Sequence, residues 1–146
     1  MWTYEHTVDT VALPTAIWRL WSDVPNWDSW NVDIEAIKIG GPFAAGTEIL
    51  MTPGGQDPVR LRLSEVREPA LFVDEAEFDG LVLRTVHRLE RLDERRHLVT
   101  YRMEITGAAA DEVGPRIGPA VTADWPATMA ALVARAEGGD GGPAPR

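Results

Sequence analysis

Residues 2–11 alternate in polarity, with Trp2, Tyr4, His6 and Val8 on one side and Thr3, Glu5, Thr7 and Asp9 on the other. A two-residue period belongs to a strand with one buried face. At Pro14 the period changes. Proline suits the first turn of a helix, and Ile17, Leu20 and Trp21 then recur at spacings of three and four. Val24 precedes Pro25 and is pushed toward extended geometry, so this helix should stop near Ser22. Residues 23–30 combine turn chemistry with Trp27 and Trp30, which predicts a second short helix lying on the first.

From residue 34 the two-residue period returns. Strands are expected over 34–39, ended by Gly40-Gly41-Pro42, and over 47–52, ended by Pro53-Gly54-Gly55. Val59, Leu61 and Leu63 alternate with Arg60, Arg62 and Ser64, and a further strand spans 71–78. Asp79-Gly80 is a strong hairpin signal. Beyond it Leu81, Leu83, Thr85, His87 and Leu89 form one face of a strand. Val99, Tyr101, Met103 and Ile105 form one face of another. Seven strands joined mostly by short links favour antiparallel pairing, in a sheet wetted on one side. Arg60, Arg62, Arg84, Arg88 and Arg102 belong to the wet face, with Glu65, Glu90 and Glu104 as neighbours.

The last periodic segment runs over 111–137. Ile117, Val121, Thr128 and Leu132, with Ala120, Asp124, Ala127 and Ala131 beside them, predict a long C-terminal helix, kinked or divided at Pro126. Gly138-Gly139 stops it, which leaves one domain over 1–137 and a solvated tail over 138–146. The pattern describes an α+β chain: a seven-stranded curved antiparallel sheet, two short helices after the first strand, and a long closing helix.

Composition narrows the function classes. The 146 residues suit one domain with a real core. A net charge of -9, from 14 Lys+Arg against 23 Asp+Glu, repels phosphate backbones and anionic membranes, so nucleic acid is not an expected partner. There is no cysteine, and His6, His87 and His97 show no metal-ligand spacing, so neither a metal nor another cofactor is expected. The first residues carry no basic start and no apolar run, and no stretch reaches the roughly 20 apolar residues of a membrane span. The expected location is the cytoplasm, without integral membrane association. Gly114-Pro115-Arg116-Ile117-Gly118 lacks the Lys-Ser/Thr ending and the strand–loop–helix context of a phosphate loop.

One closing helix is narrow cover for seven strands, so the sheet must curl and the short helices must pack across one end. Three stretches resemble the START-like superfamily in its polyketide cyclase/dehydrase and lipid-transport branch. They are Ala12-Leu13-Pro14-Thr15-Ala16-Ile17-Trp18-Arg19-Leu20-Trp21-Ser22-Asp23-Val24-Pro25-Asn26-Trp27-Asp28-Ser29-Trp30, then Gly40-Gly41-Pro42-Phe43 with Gly46-Thr47, and Tyr101-Arg102-Met103-Glu104-Ile105-Thr106-Gly107. The resemblance implies the helix-grip fold around an internal cavity for a small apolar, lipid- or polyketide-like molecule, in a carrier or binding protein. Its alternative is a polyketide cyclase, aromatase or dehydratase in the same cavity, and it leaves a homodimer open.

A hairpin turning around Asp93-Glu94-Arg95 would put His87 opposite Tyr101 on the inward face, with His6 beside them from the first strand. An imidazole beside a phenol could move a proton or polarise a carbonyl, and it could equally orient a ligand. His87 and Tyr101 are therefore the catalytic candidates. The expected cavity has walls at His6, Phe78, His87, Tyr101 and Met103, a mouth at Trp27 and Trp30, and a floor at Val121, Trp125 and Thr128. Phe72, Asp74, Ala76 and Phe78 are sent inward rather than Val73, Glu75 and Glu77, which puts Asp74 near the cavity rim with a raised pKa. Asp124 faces the cavity or, preferably, caps the helix segment that begins at Trp125-Pro126.

Overall fold

Hairpin chemistry sets the sheet. Asp79 (φ 51°) and Gly80 (φ 78°) both adopt the left-handed region, the requirement of a tight two-residue turn whose twist matches its flanking strands. The last hairpin is organised by Asp93, whose Oδ1 accepts hydrogen bonds from the backbone N–H groups of Arg95 and Arg96, both at 2.8 Å. A computed structural model describes residues 1–138. Its strands are β1 (Trp2–Thr10), β2 (Ile34–Ile39), β3 (Glu48–Pro53), β4 (Val59–Arg67), β5 (Leu71–Phe78), β6 (Leu81–Arg91) and β7 (His97–Gly107). Helix α1 (Pro14–Ser22) and a 3₁₀ segment (Val24–Ser29) follow β1, while α2 (Ala110–Val121) and α3 (Trp125–Gly138) close the chain.

All strand pairs are antiparallel, in the order β1-β7-β6-β5-β4-β3-β2. The helical excursion after β1 carries the chain across to the far edge, so β1 and β2 never pair. This is the α+β architecture that the polarity pattern predicts. The concave face buries Ile49, Leu63, Phe72, Val99, Tyr101, Met103 and Ile105 against Ile17 and Trp21 of α1 and Met129 and Leu132 of α3. The outer face carries a lattice in which Arg102 bridges Glu5 and Glu104, and Arg84 bridges Glu104 and Glu75. Pairs this exposed add little stability each. Among the described residues, no helix is long and apolar enough to cross a membrane.

The closing segment is divided, one of the two outcomes expected of Pro126, but the break falls just ahead of the proline. A turn at residues 122–124 divides it, and Pro126 stands in the first turn of α3, where its missing N–H has no helical partner to lose. Thr122 ends α2 by bonding through both its N–H and its hydroxyl to the carbonyl of Gly118. The turn also resets the helical phase, so one continuous apolar stripe cannot cross it. Val121 is accordingly 41% exposed and Ala120 is exposed too, instead of lining the interior. Beyond Gly138 the tail lies outside the described residues.

The buried stripe of α2 is instead Ala110, Gly114 and Gly118, one residue per turn. It is a groove for Trp2: a Cβ on Gly114 would stand 2.5 Å from the Trp2 Cβ, and one on Gly118 would stand 2.5 Å from its ring. Pro115 and Pro119 lie on the exposed side of the same helix, where the carbonyls deprived of a donor can meet water. An unencumbered helical Gly→Ala change gains up to about 1 kcal/mol. Gly114→Ala should reverse that sign and destabilise by about 1–3 kcal/mol through overpacking against a part of Trp2 that cannot swing away. Urea denaturation checks it, and unchanged or increased stability would remove the groove from the account.

Candidate functional site

The register of β5, β6 and β7 decides which side chains meet on the concave face. His87 pairs across with Phe72 on one side and Tyr101 on the other, and Tyr101 pairs in turn with His6. The expected His87–Tyr101 juxtaposition is therefore present. The two rings meet edge to face at 4.6 Å between centroids, while His87 stacks flat on Phe72 at 3.8 Å. Their polar atoms, however, turn to other partners. His87 Nδ1–H donates to the Phe72 carbonyl at 3.2 Å, and the Tyr101 hydroxyl accepts the indole N–H of Trp21 at 3.1 Å. His6 is half-buried beside them.

The second acid–base partner of His87 is Asp74. Its Oδ2 lies 4.0 Å from His87 Nε2, and the two residues are 6% and 8% exposed. Asp74 is thus inside the cluster and not at the rim, because it is in the middle of β5 rather than at its end. Phe78 shows the converse error. It has the same parity, but it is the last residue of β5, beyond the reach of the covering helices, and it is 56% exposed. It lines no interior wall.

Burial sets the charge states. Desolvation, with the nearby Glu75 charge second, pushes the Asp74 carboxyl up to about 7. Desolvation drives His87 down to about 3, against the smaller opposing effect of its bond to Phe72. Burial also pushes the Tyr101 phenol well above its usual range, and the Trp21 hydrogen bond only partly offsets this. With Nδ1–H committed to a carbonyl, neutral His87 presents the Nε2 lone pair toward a carboxyl that is readily protonated. The cluster can exchange or share a proton without creating a lasting charge.

Trp27 and Trp30 are both 7% exposed. Trp27 donates its indole N–H to the Trp21 carbonyl at 2.8 Å and packs against Trp30 and Phe72. With Trp18 and Phe43 they form a lid over the β5 end of the concave face. Met103 is buried and receives the Thr85 hydroxyl at its sulfur. On α3, Trp125 meets Tyr101 edge to face at 5.7 Å, and Thr128 is buried one turn on, with its hydroxyl on Asp124 Oδ2. The Asp124 carbonyl accepts the Thr128 N–H, which places Asp124 at the cap position of α3. The residues brought together are His6, His87, Tyr101, Met103, Trp125 and Thr128, with Trp27 and Trp30 as their cover; Phe78 and Val121 stand apart.

Sequence reading left Trp21 and Phe72 out of the site. Both signals were available, in the helical face of Trp21 and the inward parity of Phe72. Surface depressions of about 360 and 440 Å³ lie elsewhere, one on the charged outer face over Val73 and Val86, the other beside Val11 and the β6–β7 turn.

No family model matches the chain, and no curated protein matches it. Solved structures match in fold. Norcoclaurine synthase from Thalictrum flavum, in complex with dopamine and hydroxybenzaldehyde, superposes with a TM-score of 0.72 at 15% identity over 90% of this chain and 84% of that one. A START superfamily protein from Mycobacterium smegmatis gives 0.71 at 16% identity over 92% and 97%. A protein from Thermobifida fusca gives 0.71 at 24% identity over 93% of each chain. The fold is the START-like helix-grip fold.

The two buried groups make opposite contributions to stability against pH. Between about 4 and 7 the folded chain retains an Asp74 proton that the unfolded chain has lost, so this residue destabilises increasingly as pH rises through that window. Below 6.5 the unfolded chain protonates His87 and the folded chain does not until about 3, so stability is lost as pH falls. The slopes cancel where the windows overlap. Asp74→Asn should therefore gain stability relative to the parent as pH rises from 4 to 7 and plateau above it. Raising the carboxyl from 3.8 to about 7 sets a ceiling of about 4 kcal/mol on that gain. Denaturant midpoints across pH read it, and a pH-independent difference contradicts the shifted carboxyl.

Proposed function

We propose that the protein binds a small, largely apolar molecule between the concave sheet and α3, against Asp74, His87, Tyr101 and Trp125. The observation that carries the reading is that Asp74 and His87, only 6% and 8% exposed, have no hydrogen bond to the carboxyl or to Nε2 among the described residues. Holding an unpaired carboxyl in an interior costs several kcal/mol that a leucine at the same position would not. A group kept there at such a cost fits a role toward a bound molecule better than a role in the fold. The surrounding rings of Phe72, Trp21, Tyr101 and Trp125 offer the apolar walls that small-molecule sites favour. The START-like fold supports the same reading, since norcoclaurine synthase, which shares it, has been seen with two small aromatic molecules bound. A lipid- or polyketide-like ligand, carried or stored in the cytoplasm, is the form of this function that the apolar walls favour.

A second reading, a cyclase, aromatase or dehydratase acting on a carbonyl-rich substrate, draws support from one feature. Neutral His87 beside a protonatable Asp74 is an acid–base couple. In that reading His87 and Asp74 work as the pair, and Tyr101, whose hydroxyl is engaged by Trp21, positions His87. Binding comes first because each of these roles presupposes it.

Native mass spectrometry of protein purified from its own host should show a small-molecule adduct on the folded chain that is lost on unfolding. A bare mass, with unchanged tryptophan fluorescence across lipid and polyketide extracts, would contradict the binding reading.

A further inference from the structure

The polar groups around Asp74 and His87 are almost all engaged. Tyr101 on β7 accepts from Trp21 of α1, Thr85 on β6 points its hydroxyl to Met103, and on α3 Thr128 is joined to Asp124. His87 spends Nδ1–H on the Phe72 carbonyl. Besides the Tyr101 O–H, which meets no acceptor among the described residues, two valences stay unused: the Asp74 carboxyl and the His87 Nε2 lone pair. Their separation, 4.0 Å, is too long for a hydrogen bond. It is the span that one oxygen atom bridges when it makes a normal hydrogen bond to each side. Neither group is sealed, since the side chains of His87 and Asp74 retain 10% and 8% of their accessibility.

The chemistry of the two valences limits what can bridge them. Nε2 of this tautomer only accepts, so the bridging atom must carry a proton to donate. A protonated Asp74 donates, so the same atom must also accept. A carbonyl or ether oxygen accepts only, an ammonium donates only, and a carboxylate accepts only and would bring an unpaired charge into the interior. A hydroxyl oxygen does both. We propose that the interior site selects neutral hydroxyl-bearing ligands (phenols, enols or alcohols), whose oxygen accepts from the Asp74 carboxyl and donates to His87 Nε2. This rests on the binding reading above and specifies the polar group that its ligand must carry.

Calorimetric titration of the full chain with three probes of one shape tests it. 1-Naphthol should bind about tenfold or more tighter than naphthalene, the yield of two modest hydrogen bonds. 1-Methoxynaphthalene, which accepts but cannot donate, should stay within a few-fold of naphthalene. Asp74→Leu, checked for folding by circular dichroism, should keep naphthalene binding and bring 1-naphthol down to it. Asp74→Asn, whose amide still donates, is the milder variant and should retain part of the preference. Equal binding of 1-naphthol and naphthalene overturns the hydroxyl selection while leaving interior binding intact. So does a methoxy probe as tight as the naphthol, or an Asp74→Leu protein that keeps the preference. Failure of all three probes to bind overturns the binding reading and the selection together.

Discussion

A seven-stranded sheet with one apolar face presents more surface than two short closing helices can cover, and the rest of the structure follows from how that surface is kept from water. Burial of apolar area is the dominant favourable contribution to folding. This chain achieves it with large rings rather than long helices. Trp21 and Trp27 descend from the α1 region onto Phe72, Phe43 reaches in from the β2–β3 loop, and Trp125 closes over Tyr101 from α3. Trp2 seals the β1 edge by lying in the glycine groove of α2. Indole N–H groups brought inside by this scheme need acceptors. Those of Trp21 and Trp27 find them in the Tyr101 hydroxyl and the Trp21 carbonyl.

Against that background the Asp74 carboxyl and His87 Nε2 stand out as polar groups without a hydrogen-bond partner among the described residues. The same rings that exclude water make each charged form costly, so the acid rises and the base falls until both are neutral near pH 6. Neutrality is what lets them persist in the interior, and it also makes one a donor and the other an acceptor. Stability, pH response and the proposed ligand preference thus trace to a single desolvation effect.

Much of the fold was legible because period-two alternation and turn residues are local signals. The Asp93 turn fixes the His87–Tyr101 pairing, and the Asp79-Gly80 turn sets His87 opposite Phe72. The misreadings share one cause, the assumption that a pattern continues to its end. Phe78 keeps inward parity but runs out past the covering helices, and Val121 keeps helical phase only up to the turn that resets it. The expectation of Asp74 at the rim fails for a related reason: parity names a face, whereas depth depends on which elements pack over it. The Gly114/Gly118 spacing was visible as a pattern, but its partner, Trp2, is more than a hundred residues away and only the fold brings them together.

Nitrogen-15 NMR of the His87 ring across pH measures the central claim most directly. The account predicts a neutral imidazole protonated on Nδ1 throughout pH 5–8, with no titration near the ordinary value of 6.5. A His87 ring that titrates near 6.5, or that is an imidazolium paired with an ionised Asp74, would contradict it.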